Sequence, residues 1–109
     1  MFIVYGDDRM YAGLVRYRIR DGMIDEAARC WKENIIPEAT KQKGFKEAEL
    51  FINRKDSTAF DIGIWESRQD CENYEVHGLF ELLFDQMKEY LLEPPEREIF
   101  EVYGVMREG

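Results

Sequence analysis

The sequence predicts an α+β domain of the ferredoxin-like, split βαβ kind, a four-stranded antiparallel sheet with its helices on one face. Two observations lead there. Apolar residues alternate with period two in the clearest of four short runs, the signature of strands with two different faces. Between the first and second runs, and again between the third and fourth, the apolar period becomes helical, as an amphipathic helix requires. The order is therefore strand, helix, strand, strand, helix, strand.

The first strand runs from Leu14 to Arg20, with Val15, Tyr17 and Ile19 on one face and Arg16, Arg18 and Arg20 on the other. Asp21-Gly22 ends it with turn chemistry. A helix follows over Met23 to Gln42, with Ile24, Ala27, Ala28, Trp31 and Ile35 on one stripe. Pro37 lacks an N–H and clashes with the preceding turn, so a kink is expected there. Gly44 suits the residue just past the helix end.

The second strand, Phe45 to Asn53, alternates Ala48, Leu50 and Ile52 with Glu47, Glu49 and Phe51. Arg54-Lys55-Asp56-Ser57 is a hairpin-length link. The third strand, Phe60-Asp61-Ile62-Gly63-Ile64-Trp65, stops at Glu66-Ser67, where the Ser67 hydroxyl can accept from the open N–H groups of a following helix. Trp65 stands where strand, loop and helix converge, a natural pocket wall. Two helical pieces come next, Arg68–Val76 and Leu79–Leu92, parted near His77-Gly78. In the second, Phe80, Phe84, Met87 and Leu91 form the core stripe. Pro94-Pro95 forces an extended exit, and Glu98 to Met106 is the last strand. Residues 1–10 are read as an N-terminal extension, either an extra edge strand or a loose segment, and residues 11–109 as the domain.

On this pattern Val15, Tyr17, Ile19, Ala48, Leu50, Ile52, Ile62 and Ile64 face the helices. The opposite face would carry Leu14, Phe51, Trp65, Ile99 and Tyr103 beside Arg16, Arg18, Glu47, Glu49, Asp61 and Glu101. Apolar groups of that size are seldom left in water. A homodimer joined through this face is expected, with an interface above about 2,000 Å². Arg16 and Arg18 should pair there with Glu47, Glu49, Asp61 or Glu101.

Composition narrows the function classes. With 45% hydrophobic residues the 109-residue chain can build a real core, which excludes a disordered tail. Residues 1–55 hold 11 Lys and Arg against 9 Asp and Glu, and residues 56–109 hold 4 against 14. An acidic C-terminal half without basic clusters argues against nucleic acid or anionic lipid as partner. Cys30 and Cys71 are too few for a disulfide scaffold and lack metal-ligand spacing; a buried free thiol is expected at Cys30. No segment is long enough to span a membrane, and Phe2-Ile3-Val4-Tyr5 is too short for a secretion signal. The expected location is the cytoplasm.

Asp21-Gly22 before the helix, Trp31 and Ile35-Ile36-Pro37 within it, and Gly44-Phe45 opening the second strand form a pattern with Ile64-Trp65-Glu66-Ser67, Phe80 and Pro94-Pro95-Glu96. Over residues 11–106 this pattern resembles the antibiotic biosynthesis monooxygenase-like domains of the dimeric α/β-barrel superfamily. The resemblance implies the barrel-forming dimer. It also implies cofactor-independent oxygenation of quinols or phenols, haem degradation, or neither. The haem-degrading branch uses an Asn, a Trp and a His at positions aligned near Val15, Tyr74 and Phe84, none of which matches, so that branch is disfavoured.

A cofactor-independent oxygenase binds an aromatic ring, helps deprotonate a phenol and holds oxygen in a dry pocket. The residues expected to serve are His77 as acceptor of the phenolic proton and Tyr74 as hydrogen-bonding partner of a substrate oxygen, with Tyr17, Trp31, Trp65 and Phe80 around the ring. No metal or cofactor is called for. Each has a plainer reading: His77 as a cap or surface residue, Trp31 and Trp65 as core, and Tyr74 as a substitute where the family often has His. Three functions stay open: a monooxygenase, a non-catalytic binder of a small aromatic or apolar molecule, and a structural dimer.

Overall fold

A computed structural model describes residues 2–4, 9–76 and 79–106. The elements in chain order are β1 (Phe2–Val4), β2 (Tyr11–Arg18), α1 (Ile24–Cys30), α2 (Ile36–Ala39), β3 (Phe45–Asn53), β4 (Thr58–Trp65), α3 (Arg68–Val76), α4 (Leu79–Phe84), β5 (Glu96–Glu101) and β6 (Gly104–Met106). The main sheet has the order β3-β4-β2-β5, antiparallel throughout. That is the ferredoxin-like arrangement, so the expected fold class is observed. β1 pairs with β6 as a separate two-stranded ribbon, Phe2 opposite Met106.

Local chemistry sets the boundaries. Gly22 and Gly44 take positive φ, 77° and 84°, where a side chain would strain the backbone. The Ser67 hydroxyl accepts from the Asp70 N–H at 3.1 Å, the cap expected from sequence. The first long helix is continuous but not uniform. Trp31–Ile35 is a π-helical turn between α1 and α2, and the Ile36 N–H reaches back five residues to the Trp31 carbonyl. This widened turn ends two residues before Pro37, which has no N–H to give. The last helix changes the other way and tightens: after α4, residues Asp85–Tyr90 are 3₁₀.

The core lies between the helices and one face of the sheet. Val15 and Tyr17 of β2, and Ile19 just past its end, meet Ile24, Ala27, Ile35, Phe80, Phe84, Met87 and Leu91, all buried. The stripe read from the last helical segment is thus the one that packs.

β4 departs from expectation. Its register sets Val15 opposite Asp61, Tyr17 opposite Ala59 and Tyr11 opposite Trp65, so Ala59, Asp61 and Trp65 face the helices and are buried. Phe60, Ile62 and Ile64 face the other side. Ile99 and Glu101 pair with Gly13 and Tyr11 and so also belong to the helix side, while Tyr103 lies past the end of β5. The alternation was right and its phase wrong. A strand apolar on both faces gives no internal sign of which set points inward.

The second face carries Leu14, Arg16, Arg18, Phe51, Phe60, Ile62, Ile64 and Phe100. Phe51 and Phe100 are 42% and 47% exposed, and Phe51 stacks on Phe60 at 5.0 Å. The expected arginine partners also differ. Arg16 pairs with Glu98 at 3.5 Å and Arg18 with Glu93 at 3.9 Å. Glu98 follows from the β2–β5 pairing, which sets it opposite Leu14, and Glu93 follows Leu92, whose N–H donates to the Arg18 carbonyl. Asp61 is on the wrong side to take part.

Candidate active site

Two glycines make room for a site. Gly13 and Gly63 oppose each other on the helix side of β2 and β4, flanked by Val15 and Asp61 at one end and Tyr11 and Trp65 at the other. Side chains are missing there, and a cavity of about 30 Å³ remains. Trp65 leans over the gap: a Cβ on Gly63 would meet its Nε1 at 3.3 Å. A space of this size holds a water or a diatomic molecule but no aromatic ring.

The cavity wall is aromatic and aliphatic apart from one carboxylate. Trp31, Trp65, Tyr74, Phe80 and Phe84 line it together with Asp61. Trp65 lies 5.0 Å from Tyr74 between ring centres, and Tyr74 meets Phe80 edge-on at 6.0 Å. Phe80 then stacks on Phe84 at 4.1 Å, and Phe84 on Tyr17 at 5.7 Å. Such offset and edge-on pairs hold one another's orientation.

Asp61 is one of two buried acidic side chains among the described residues, 7% exposed. The Tyr17 hydroxyl and the Trp31 indole N–H, the latter at 3.0 Å, both donate to its Oδ2. No described group donates to Oδ1. The π-turn places Trp31 for this contact, since the residue opens that turn. Burial raises the Asp61 carboxyl to about 6, against the smaller opposing effect of the two hydrogen bonds. Burial also holds the Tyr17 phenol well above its usual value, with the Asp61 charge adding to the rise. Tyr17 therefore remains a donor at neutral pH. The chemistry available is a carboxylate whose proton affinity lies near neutrality, in a nearly dry aromatic chamber.

Of the residues singled out from sequence, Trp31, Trp65, Tyr74 and Phe80 share this one cavity. Tyr17 reaches it through Asp61. Trp65 is an interior residue, 2% exposed, rather than part of the second face. His77 lies outside the described residues. Asp61 was missed as a site residue, because its assignment to the second face gave it an arginine partner. The available signal was an acid in mid-strand, a position where Asp is depleted. Among the described residues no group of three or more His, Cys, Asp or Glu is placed to hold a metal ion, and no helix is long and apolar enough to cross a membrane.

A larger groove adjoins the chamber on the far side of Phe80 and Phe84. It measures about 460 Å³ and lies between α4, the 3₁₀ segment and residues 91–97. Backbone bonds from Arg20 to Tyr90 and from Leu92 to Arg18, both 2.9 Å, fix its floor.

A ferredoxin-like sheet of this order is the fold of solved structures named as antibiotic biosynthesis monooxygenases. Three solved structures illustrate it. A monooxygenase from the gene ActVA-Orf6 of Streptomyces coelicolor, in complex with the ligand Nanaomycin D, superposes with a TM-score of 0.77 at 13% identity, over 95% of this chain and 96% of that one. SnoaB, a cofactor-independent oxygenase from Streptomyces nogalater, gives 0.69 at 16% identity over 93% and 96%. NE2512, a protein of unknown function from Nitrosomonas europaea, gives 0.73 at 16% identity over 95% and 99%. At these identities the likeness is one of fold. No family model and no curated protein matches the chain by sequence.

Proposed function

We propose that the chain is a cofactor-independent monooxygenase acting on a small phenolic or quinol substrate, with Asp61 as the proton acceptor. The buried carboxylate supports this reading: its Oδ2 is held by Tyr17 and Trp31, and its Oδ1 has no described donor. Two of the proteins of this fold are named as oxygenases, which agrees with it.

In the proposed reaction the substrate supplies all the electrons. Asp61 takes the phenolic proton, and the electron-rich phenolate reduces dioxygen. One oxygen atom is then inserted at a ring carbon and the other leaves as water, so a quinol and dioxygen give a hydroxyquinone and water. Tyr17 and Trp31 hold the base in place, and Tyr74 is the candidate donor to a substrate oxygen. The chamber suits dioxygen in volume, and the substrate ring has to displace Phe80 to approach it. A base with this proton affinity gives a rate that rises as pH passes through about 6. Asp61→Asn keeps an acceptor for Tyr17 and Trp31 but removes the base, and should lower turnover by about 10²–10⁴-fold. Oxygen uptake with a panel of quinols, wild type against Asp61→Asn and His77→Ala, is the measurement. If Asp61→Asn keeps full turnover and His77→Ala loses it, the base is His77.

The small size of the chamber favours one second reading, a non-catalytic binder of small aromatic or apolar molecules. Quinol binding with oxygen uptake no faster than the uncatalysed rate would establish it. We further propose that the protein acts as a homodimer in the cytoplasm, joined through the second sheet face. The half-exposed Phe51 and Phe100 support that assembly. Sedimentation at micromolar concentration tests it, and a monomer there would overturn it.

A further inference from the structure

The first long helix buries its inward residues at an irregular spacing. Ile24, Ala27 and Cys30 are buried at intervals of three, and the next buried residue is Ile35, five further on, followed by Ala39. At 3.6 residues per turn, five residues overshoot a full turn by about 140°, which would carry Ile35 off the inward face. The π-turn over Trp31–Ile35 takes up the extra residue and returns Ile35 to the core. It leaves Trp31 half-buried at the edge of the stripe, from which its indole N–H donates to Oδ2 of Asp61 at 3.0 Å. The Tyr17 hydroxyl donates to the same oxygen from β2. Two donors from two elements thus meet on one oxygen of a buried carboxylate, and the other oxygen has no described donor. No charged side chain competes with them among the described residues. Asp61 is the only charged group lining the chamber, and Tyr74 of α3 is the only other titratable one there. The lining residues of β3, Phe45 and Ala48, and of α4, Phe80 and Phe84, are apolar.

We propose that Trp31 is a positioning residue: together with Tyr17 it engages Oδ2 of Asp61 and so leaves Oδ1 as the oxygen that takes the substrate proton. The fate of that proton rests on the oxygenase reading, whereas the hydrogen bond and its effect on the carboxylate do not. Both donors favour the ionised form, and so oppose the rise that burial imposes on the Asp61 carboxyl. Loss of the Trp31 donor therefore raises the carboxyl further. It also loosens the carboxylate about its terminal torsion, which is intrinsically soft.

Trp31→Phe is the test, since it keeps an aromatic ring in the chamber wall and removes the N–H. The carboxyl-carbon NMR signal of Asp61, assigned by its loss in Asp61→Asn, is titrated in the full chain without substrate. The wild type should titrate at about 6. Trp31→Phe should titrate nearer about 7, the effect of one lost hydrogen bond to a charged group. In the wild type the Trp31 indole proton signal should move with the same midpoint, and in Asp61→Asn it should not move at all; this arm needs no change at Trp31. With a quinol the pH of half-maximal turnover should rise in Trp31→Phe as the titration does. The kcat above that pH should fall about 10-fold through misorientation of the base, with KM changed by less than about 2-fold. On an Asp61→Asn background Trp31→Phe should cause no further loss of turnover. A titration unmoved in Trp31→Phe, an indole signal that ignores Asp61, or a further loss on the Asp61→Asn background would each overturn the proposal. Titrations that move as expected in a chain without oxygen uptake would overturn only the oxygenase reading.

Discussion

The two faces of the main sheet are made by alternate residues of the same strands, and they solve opposite problems. On the helix side a polar group is buried: Asp61 is shielded from water and held by two donors. On the second side apolar groups are exposed, Phe51 and Phe100 among them, beside arginines paired to Glu93 and Glu98 across solvent. The first arrangement costs stability and the second costs solubility. Neither is what a sheet packed only for stability would keep. Burial of a carboxylate is worth retaining where its proton affinity is used, and an exposed aromatic face where another surface covers it.

The largest expected effect tests whether stability resides on the helix side. Phe84 is buried against Tyr17 and Phe80, so Phe84→Ala should cost about 3–5 kcal/mol, a fall in Tm on the order of 20 °C. Phe100→Ala, on the half-exposed face, should change the free chain by less than about 0.5 kcal/mol. Urea melts at low protein concentration compare them. Equal losses would mean that the two faces are not distinguished by burial at all.

Asp61 gives the next effect, and its sign is unusual for a carboxylate. In the folded chain it titrates at about 6, against an ordinary 3.8. Between those values the folded chain holds a proton that the unfolded chain has released. Stability therefore falls as pH rises through that window, by about 3 kcal/mol in all. Asp61→Asn should be close to wild type at pH 3.5 and more stable by up to about 3 kcal/mol at pH 8. A variant that gains stability at neutral pH while losing turnover would show a polar group kept for chemistry. Identical pH dependence of unfolding in the two proteins would remove the case for a perturbed carboxyl.

These contrasts also explain what the sequence could and could not disclose. The alternation of Val15, Tyr17 and Ile19, and the stripe of Phe80, Phe84, Met87 and Leu91, pointed to the core because only one face of each element is apolar. Ser67 and Gly44 were legible from local backbone chemistry alone. β4 was not, since Phe60, Ile62 and Ile64 are the more apolar set and yet face away from the helices. That phase depends on pairing with β2 and on the space left by Gly13 and Gly63, both non-local. The error carried Asp61 to the wrong face, and with it the centre of the site. Trp31, Trp65, Tyr74 and Phe80 line one cavity because the observed phase of β4 turns Trp65 toward the helices, where it meets Tyr74. The π-turn had no signature beyond Pro37, and the 3₁₀ ending of the last helix had none.

The smallest effect distinguishes a bare second face from a covered one. Arg16 and Glu98 lie 3.5 Å apart with side chains 54% and 52% exposed. In a free chain water screens such a pair, and Arg16→Met should cost no more than about 1 kcal/mol, under about 8 °C in Tm. If a second copy covers the face, the same substitution strands Glu98 away from water. The cost then rises toward about 3–5 kcal/mol, as for a broken buried pair, and it grows with protein concentration because the dimer carries it. Thermal melts of Arg16→Met and Glu98→Gln at two concentrations a hundredfold apart separate the cases. A small, concentration-independent loss would leave Phe51, Phe60 and Phe100 in water and defeat the homodimer, whereas a large one that scales with concentration would place this ion pair at the interface.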